Sequence, residues 1–253
     1  MTREILIVGD VQGDVERLRE ALEPYPEDEV DTLFLGDFFQ GGQPGAGGGA
    51  AAARVAMERR NSRAVIGNHD IFVLIVLERR RGEGDSATWR SRDGGAIEDI
   101  WLNRRGDWAD LDALAADSEL ESWIRSLPAM LRLDDGTLVQ HTDDDAYADL
   151  GTDIDAVNVS MRELLSHPGG VRTALRYTIG RHAFDEAVRL ERYLELFKAR
   201  RLVHGHTPHA EESPRVAHGG RALGFDGRFS RYWSPADGEP SGPIGATVAL
   251  LPR

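Results

Sequence analysis

Three short apolar runs near the start of the chain each end in glycine followed by a polar residue, and this pattern constrains the fold most. Residues 4–8 precede Gly9-Asp10, residues 31–35 end at Gly36-Asp37, and residues 63–66 precede Gly67-Asn68. Short apolar runs closed by turn residues predict β-strands, and apolar residues at helical spacing after the first and third runs predict helices. Alternating strands and helices predict an α/β fold with parallel strands, whose carboxyl-end loops gather at one edge of the sheet.

The rest of the chain also separates into predicted elements. We interpret residues 43–53 as a mobile glycine-rich loop that runs into a helix at 54–60, and residues 79–128 as a helical insertion or cap. Its tryptophans at positions 89, 101, 108 and 123 are expected to be packing anchors. A hairpin is predicted at 131–140, helices at 153–166 and 183–199, and strands at 202–203 and 242–251. We expect one domain over residues 1–253.

Composition limits the classes of function. The formal net charge is −13, with 43 acidic against 30 basic residues, which disfavours a general affinity for nucleic acid or for anionic membranes. There is no cysteine, so any metal must be bound by carboxylate, amide or imidazole groups. No apolar stretch has the length of a signal-peptide core or a transmembrane helix. These features together predict a cytoplasmic protein.

The polar residues that follow the apolar runs form a set suited to divalent metal ions. In chain order they are Asp10, Asp37, Asn68, His69, His141, His204 and His206. A carboxylate that bridges two ions neutralises part of their repulsion, and the other groups complete the coordination. A single aspartate after a strand is more often a helix N-cap. Five loops that carry such residues in this order indicate a metal centre instead.

These motifs resemble those of the calcineurin-like metallophosphoesterases. The matching segments are GDVQGD at 9–14, GDFFQGG at 36–42, GNHD at 67–70, VQHTD at 139–143, VHGHTP at 203–208 and ALGFDG at 222–227. VHGHTP is most similar to the bacterial symmetrical diadenosine tetraphosphatases and protein-phosphatase-like enzymes. The resemblance implies a four-layer α/β fold in which a two-sheet β-sandwich is flanked by helices. It also implies hydrolysis of phosphomonoesters or phosphoanhydrides, including dinucleoside polyphosphates, by metal-bound water or hydroxide.

The resemblance implies a role for each matching residue. Two divalent ions are expected, Mn²⁺ first, with Mg²⁺, Fe²⁺ or Zn²⁺ as alternatives. Asp37 would bridge them, and His69 would protonate the leaving-group oxygen, because an imidazole titrates near neutral pH. Asp70 is the second catalytic candidate, as a residue that orients His69. The expected metal ligands are Asp10, Gln12, Asp37, Asn68, His141 and His206.

The sequence departs from the family pattern at four positions, one of which is Thr142, where the family often carries glycine or alanine. Gln12 stands where a histidine is usual, and its amide oxygen predicts a weaker first site that favours Mn²⁺, Mg²⁺ or Fe²⁺ over Zn²⁺. Gln40 and Gly41 stand where the protein-phosphatase branch carries an aspartate that orients the general acid and an arginine that binds phosphate.

Other residues are candidates for the two missing functions. Asp70 or one of residues 143–145 could orient His69, and Arg181 or Arg228 could approach the phosphate. For both arginines a surface salt bridge is the competing interpretation. We expect His204 to support the site rather than to bind metal.

Three hypotheses about function stay open at this stage. The first is a metal-dependent phosphoesterase that acts on a small-molecule phosphoester or nucleotide, or on a phosphoprotein in the manner of a serine/threonine phosphatase. The second is a non-catalytic module that binds one metal and a nucleotide. The third, a nuclease, is disfavoured by the acidic balance, although arginines at positions 79–81, 90 and 104–105 could form a local basic groove.

Overall fold

The computed structural model describes residues 3–83, 96–232 and 241–252. The strands are β1 Glu4–Val8, β2 Val30–Phe34, β3 Ser62–Ala64, β4 Met130–Arg132, β5 Thr137–Gln140, β6 Arg201–His204, β7 Arg215–Ala217, β8 Ala222–Gly224 and β9 Val248–Leu250. The helices are α1 Val15–Leu22, α2 Gly48–Glu58, α3 Asn68–Arg81, α4 Ile97–Asn103, α5 Trp108–Ala116, α6 Ser118–Ser126, α7 Ile154–Ser166, α8 Gly170–Leu175, α9 Ala187–Leu196 and α10 Ile244–Thr247.

The strands form two sheets that are flanked by helices. The first sheet has the order β3-β2-β1-β9, in which β1, β2 and β3 are parallel and β9 is antiparallel. The second has the order β4-β5-β6-β8-β7, in which β5, β6 and β8 are parallel and the two outer strands are antiparallel. The predicted α/β fold with two sheets flanked by helices is therefore confirmed.

Side-chain alternation along the strands explains the layers. In β1, Leu6 and Val8 belong to the large cluster shared with the helices, whereas Ile7 belongs to a second cluster. That second cluster joins residues of both sheets, including Leu33 of β2 and Val203 of β6. Because successive side chains of a strand point to opposite faces, each sheet buries one face against the other sheet and one against helices.

Helices α4, α5 and α6 occupy the described part of the predicted insertion. Trp101 is fully buried, and Trp123 packs on Phe38 with ring centroids 5.8 Å apart, so both tryptophans are the expected packing anchors. Trp108 is 41% exposed and does not fit that expectation. Trp89 and Arg90 lie outside the described residues. The boundaries at 79 and 128 and the role as a cap stay predictions.

The glycine-rich segment differs from the expected loop. Helix α2 begins at Gly48 instead of residue 54, and Gly48, Gly49 and Ala50 are buried. Glycine disfavours helix in isolation, so its intrinsic propensity pointed to a loop. A Cβ on Gly48 would lie 2.1 Å from the carbonyl oxygen of Gly13, so packing against the first loop explains both the helix and its glycines.

Three further elements were not predicted. Helix α8 and strand β7 were missed because each is shorter than the window over which periodicity is visible. The tail expected as one closing strand instead contains the single turn α10 followed by β9. Among the described residues, no helix is long and apolar enough to cross a membrane.

Candidate metal centre

The parallel strands of both sheets deliver polar residues to one edge of the sandwich. Asp10 and Gln12 follow β1, Asp37 follows β2, and the amino end of α3 presents Asn68 and His69. The second sheet contributes through the segments that follow β5, β6 and β8, and the polar residues found there are His141, His206 and Asp226. All eight of these residues are buried.

Three buried groups converge closely enough to bind one ion. One ligand atom each from Asp37, His141 and His206 lies within 4.8 Å of the other two. His141 Nε2 lies 3.3 Å from Asp37 Oδ1 and 2.9 Å from the side-chain oxygen of Asn68. The structure therefore brings together the four residues expected at the second metal site.

The hydrogen bond on the far side of His141 fixes its ligand atom. His141 Nδ1 lies 2.7 Å from the carbonyl oxygen of Leu35, which can only accept, so Nδ1 carries a proton. A neutral ring would then point its Nε2 lone pair at the oxygens of Asp37 and Asn68, which is favourable only with a cation between them. Without a cation the ring must be protonated. Although burial opposes this, the charge of Asp37 raises the pKa of His141.

His206 is a buried imidazole that lacks the usual hydrogen bonds within the part of the chain that the structure describes. Neither ring nitrogen has a hydrogen-bond partner among those residues. Burial lowers the pKa of His206 to about 2, and the neighbouring charge of His141 adds to this effect. A buried polar group without a partner is costly. A neutral imidazole held in this way therefore fits a metal ion.

The first expected site contains carboxylates that repel each other. Burial raises the pKa of Asp10 well above its usual range, and the charges of Asp226 and Asp37 raise it further. Burial likewise raises the pKa of Asp226 to about 6. A positive charge beside these aspartates would offset their repulsion, and a divalent cation would supply it. Among the described residues, only Asp37, His141 and His206 form a group of three whose ligand atoms lie within 4.8 Å of one another, so the first site stays a prediction. Gln12 is buried, with 8% of its surface exposed.

Asp226 was missed as a candidate ligand in the sequence. The motif ALGFDG contains it, so a signal existed, but one aspartate beside a glycine has many ordinary explanations. In the fold, Asp226 directly follows Phe225, which is buried in the apolar cluster between the two sheets. Thr247 bonds to Gly9 through its carbonyl oxygen and to Gly227 through its hydroxyl, both at 2.9 Å, and thereby holds the two aspartate loops together.

The backbone of the site is forced into uncommon conformations. Gln12, Asp37 and His206 have positive φ angles of 49°, 54° and 65°. Such angles are uncommon outside glycine and cluster at functional sites. A Cβ on Gly67 would lie 2.3 Å from Asp37 Oδ1, and a Cβ on Gly205 would lie 2.3 Å from Asp10 Oδ1. Only glycine permits these approaches.

The hydrogen bonds described for Asp70 are with backbone groups, and its suggested role in orienting His69 stays a prediction. Both its carboxylate oxygens accept backbone N–H groups, from Asp37 at 2.9 Å, Phe38 at 2.8 Å and Gly67 at 2.9 Å. Burial, together with the charge of Asp37, raises the pKa of Asp70 to about 6. The geometry thus makes Asp70 a positioning residue for the loop that carries Asp37.

The aspartates at 143–145 make hydrogen bonds and an ion pair with residues other than His69. Asp143 accepts from the hydroxyl of Thr207 and, at 3.1 Å, from the backbone of His182. Asp144 accepts from the backbone of Ala146 at 2.8 Å, and Asp145 pairs with Arg189. These residues fix the loops around the site, and their described partners do not include His69.

His69 lies beside the carboxylate of Asp37. Its backbone N–H donates to Asp37 Oδ1 at 2.8 Å, and its Nε2 lies 3.7 Å from Asp37 Oδ2. Burial lowers the pKa of His69. The charge of Asp37 opposes this, while the charges of His141, Arg104 and Arg181 lower the pKa further. The imidazole of His69 therefore lies within range of both the negative charge of Asp37 and the positive charges of the two arginines.

The two candidate arginines differ in their relation to the site. The charge of Arg181 acts on several buried groups, because it opposes the rise in the pKa of Asp10 and contributes to lowering the pKa values of His69 and His206. Arg228 lies two residues after Asp226 and donates its backbone N–H to Asp226 Oδ1 at 3.2 Å. His204 Nδ1 lies 2.9 Å from the carbonyl oxygen of Gly205, and its expected supporting role stays a prediction.

The fold and the donor set together define a class of protein. Two sheets flanked by helices deliver carboxylates, an amide and imidazoles to one edge, as in a metal-dependent phosphoesterase. The calcineurin-like phosphoesterase family model matches residues 3–210, and the chain belongs to this family. The protein is therefore a hydrolase of phosphoesters, and its family implies divalent metal cofactors.

Solved structures share this fold. The cold-active protein-tyrosine phosphatase of a psychrophilic Shewanella species is 16% identical, covers 100% of this chain and 81% of its own, and has a TM-score of 0.61. A Saccharomyces cerevisiae protein serine/threonine phosphatase with similarity to human phosphatase PP5 is 16% identical, with coverage of 88% and 66% and a TM-score of 0.51.

A putative diadenosine tetraphosphatase is 15% identical, with coverage of 90% of this chain and 85% of its own and a TM-score of 0.51. At these identities the likeness shows the fold alone. No curated protein matches the chain.

Proposed function

We propose that this protein is a dinuclear phosphatase that hydrolyses small-molecule phosphomonoesters or phosphoanhydrides, with dinucleoside polyphosphates among the candidate substrates. The observation that carries the proposal is the convergence of Asp37, His141 and His206, whose ligand atoms lie within 4.8 Å of one another. Asp10 and Asp226 place further buried negative charge beside the same aspartate. A second ion beside Asp10 and Asp226 would offset this charge.

The residues would divide between two ions. Asp10 and Gln12, with Asp226, would hold the first ion, and Asp37 would contribute to both. Asn68, His141 and His206 would complete the second site. Two divalent ions there would supply charge stabilisation for phosphoryl oxygens and lower the pKa of a coordinated water. Oxygen-rich ligation with an amide at position 12 favours Mn²⁺.

His69 has the chemistry of a proton donor to the leaving oxygen. Its backbone N–H is fixed on Asp37, and its ring is buried next to the donor set. Asp37 favours the protonated ring, whereas burial and the nearby arginines favour the neutral ring. These opposing effects suit a group that must both hold and release a proton.

The arginines considered for a nucleic-acid groove are engaged elsewhere. Arg79, Arg80 and Arg81 form ion pairs with Glu98, Asp112 and Glu121, respectively, so these side chains do not present free positive charge. Within the described residues, which exclude Arg90, only residues 104–105 remain as candidates for a basic groove.

Turnover of p-nitrophenyl phosphate and of diadenosine tetraphosphate by the Mn²⁺-loaded protein tests the proposal. His69→Asn should lower kcat by about 100-fold or more with unchanged metal content, because it removes the proton donor and leaves the ligands in place. His167→Asn is the matched control, since His167 is exposed at the end of α7 and should leave kcat unchanged.

Absence of turnover on a broad phosphoester panel, with one metal ion or none per chain and tight nucleotide binding, would instead support the non-catalytic module. Phosphopeptide hydrolysis that exceeds small-molecule hydrolysis in kcat/KM would support a protein phosphatase.

A further inference from the structure

The segment that follows Asp37 is covered by the loop between α4 and α5. Gln40 is 1% exposed, and its side-chain amide lies 3.2 Å from the carbonyl oxygen of Arg104 and 3.4 Å from that of Trp101. The backbone N–H of Gly41 donates to the carbonyl oxygen of Arg105 at 3.0 Å. Residues 104–105 are therefore bound to the chain only three to four positions after the bridging aspartate.

The same loop is fixed to the helix that carries His69. Trp101 is fully buried and packs edge-on against Phe72, with ring centroids 5.8 Å apart and an interplanar angle of 75°. Phe72 lies in α3, one turn after His69. The backbone N–H of Gly106 donates to the carbonyl oxygen of Trp101 at 2.7 Å and closes the loop. The position of Arg104 relative to His69 is thus set by buried packing and not by an exposed chain.

The two arginines of this loop differ in what their side chains do. Arg105 donates from Nη1 to the carbonyl oxygen of Tyr232 at 2.9 Å. Arg104 is an exposed residue whose backbone is held against Gln40, and no ion pair is described for its guanidinium with residues 3–83, 96–232 or 241–252. Its charge acts on the buried ring of His69, as does that of Arg181. The backbone position and this effect together place Arg104 near the site.

We propose that Arg104 binds the phosphoryl group of the substrate near His69. A dianionic phosphate next to the carboxylates of Asp10 and Asp37 requires cationic contacts besides metal ions. A guanidinium supplies two parallel N–H donors that match two phosphate oxygens. Gly41 offers no side chain at this point, so the helical segment packed on it provides the charge. This inference rests on the proposed phosphoesterase function.

Inorganic phosphate binding to the Mn²⁺-loaded protein, measured by calorimetry, tests the inference without requiring turnover. Arg104→Ala should raise the Kd for phosphate by about tenfold or more, because it removes charge-assisted hydrogen bonds. Arg105→Ala, which deletes a neighbouring arginine of equal charge, should change the Kd by less than about twofold. Arg104→Lys should fall between Arg104→Ala and the wild type, since it keeps the charge and loses the bidentate geometry.

Steady-state kinetics with p-nitrophenyl phosphate give a second measurement, in which Arg104→Ala should raise KM more than Arg105→Ala does. Equal phosphate affinities of Arg104→Ala and the wild type, equal weakening by both alanine variants, or no phosphate binding by the wild type would each overturn the inference. If phosphate binding depends on Arg104 while the wild type shows no turnover, the inference stands and the proposed function fails.

Discussion

The carboxylate of Asp70 organises the metal centre through backbone hydrogen bonds. As the third residue of α3, it reaches back to Gly67, the residue before the helix, and also holds the amides of Asp37 and Phe38. Because these bonds fix the loop that carries Asp37, we expect Asp70 to act on metal binding through the position of that loop.

Asp70→Asn should lower the free energy of unfolding by about 2–3 kcal/mol. One amide N–H₂ then faces a backbone donor in either side-chain orientation, and a buried donor is left without an acceptor. Urea unfolding measures the change. Asp112→Asn, at an exposed residue paired with Arg80, should alter stability by less than about 0.5 kcal/mol. Equal stabilities of the two variants would contradict this role.

Substitution of Gln12 tests whether its amide lowers the metal affinity of the expected first site. Its φ of 49° is a conformation that histidine tolerates better than most residues, so Gln12→His should fold. Imidazole is a stronger donor than an amide oxygen towards Zn²⁺, so the affinity for Zn²⁺ should rise by about tenfold, with a smaller gain for Mn²⁺. Calorimetric titration measures both, and Gln43→His on the exposed loop is the control. An unchanged Zn²⁺ affinity would show that position 12 does not face the ion.

Helix α2 shows how tertiary packing overrides propensity. Gly48→Ala should destabilise the protein by about 1–3 kcal/mol although alanine favours helix, because its Cβ would meet the carbonyl oxygen of Gly13 at 2.1 Å. Ala51→Gly in the same helix provides the propensity control and should cost about 1 kcal/mol. Thermal and urea unfolding compare them. A stabilising Gly48→Ala would mean that the first loop adjusts freely.

Asp110 of α5 accepts from the backbone N–H of Ala50 in the first turn of α2, at 2.9 Å. Burial raises its pKa to about 7 from an ordinary value of 3.8, and the charge of Asp107 adds to this effect. With a folded-state pKa above the unfolded value, stability falls as pH rises from about 4 through about 7. The loss reaches at most about 4 kcal/mol.

Asp110→Asn cannot titrate, so its stability should decline less over that range. Urea unfolding of metal-free wild type and variant at about pH 4.5 and about pH 8 gives the difference, in which titration of other groups cancels. Parallel pH profiles would show that Asp110 ionises normally.

The sequence predicted the elements whose signal is local. Strands β1 and β2 were predicted to within one residue because each is a buried apolar run closed by Gly-Asp. The start of α2 was misplaced because its glycines are explained by contact with residue 13, which no local pattern contains. The Asp70 contacts likewise join residues about 30 positions apart and could not be read from GNHD alone.

The convergence of most of the expected metal ligands could be predicted because they lie in the segments after strands, and parallel topology brings strand ends together. Asp226 also follows a parallel strand, β8, and was missed because one aspartate beside a glycine has many ordinary explanations. The position of Arg104 could not be predicted in this way, because it depends on the docking of α4 onto α3. That relation is set by packing between residues distant in sequence, such as Trp101 and Phe72.

Metal binding should stabilise the whole molecule, because the expected ligands come from both sheets and the ions offset buried carboxylate repulsion. Removal of metal with EDTA should lower the unfolding midpoint, and Mn²⁺ at about 100 times its Kd should restore about 2.7 kcal/mol.

The pKa of Asp226 is raised to about 6 and that of Asp10 is raised well above its usual range, both primarily by burial. The metal-free protein therefore loses stability as pH rises through about 6, whereas the ionised carboxylates bind metal more tightly.

The stabilisation by Mn²⁺ should thus be greater at about pH 7.5 than at about pH 5.5. Thermal unfolding with and without EDTA at both pH values measures it. Asp37→Asn, which removes the charge of the shared ligand, should show little response to EDTA. A wild type whose midpoint is insensitive to EDTA at about pH 7.5 would contradict a metal centre that joins the two sheets.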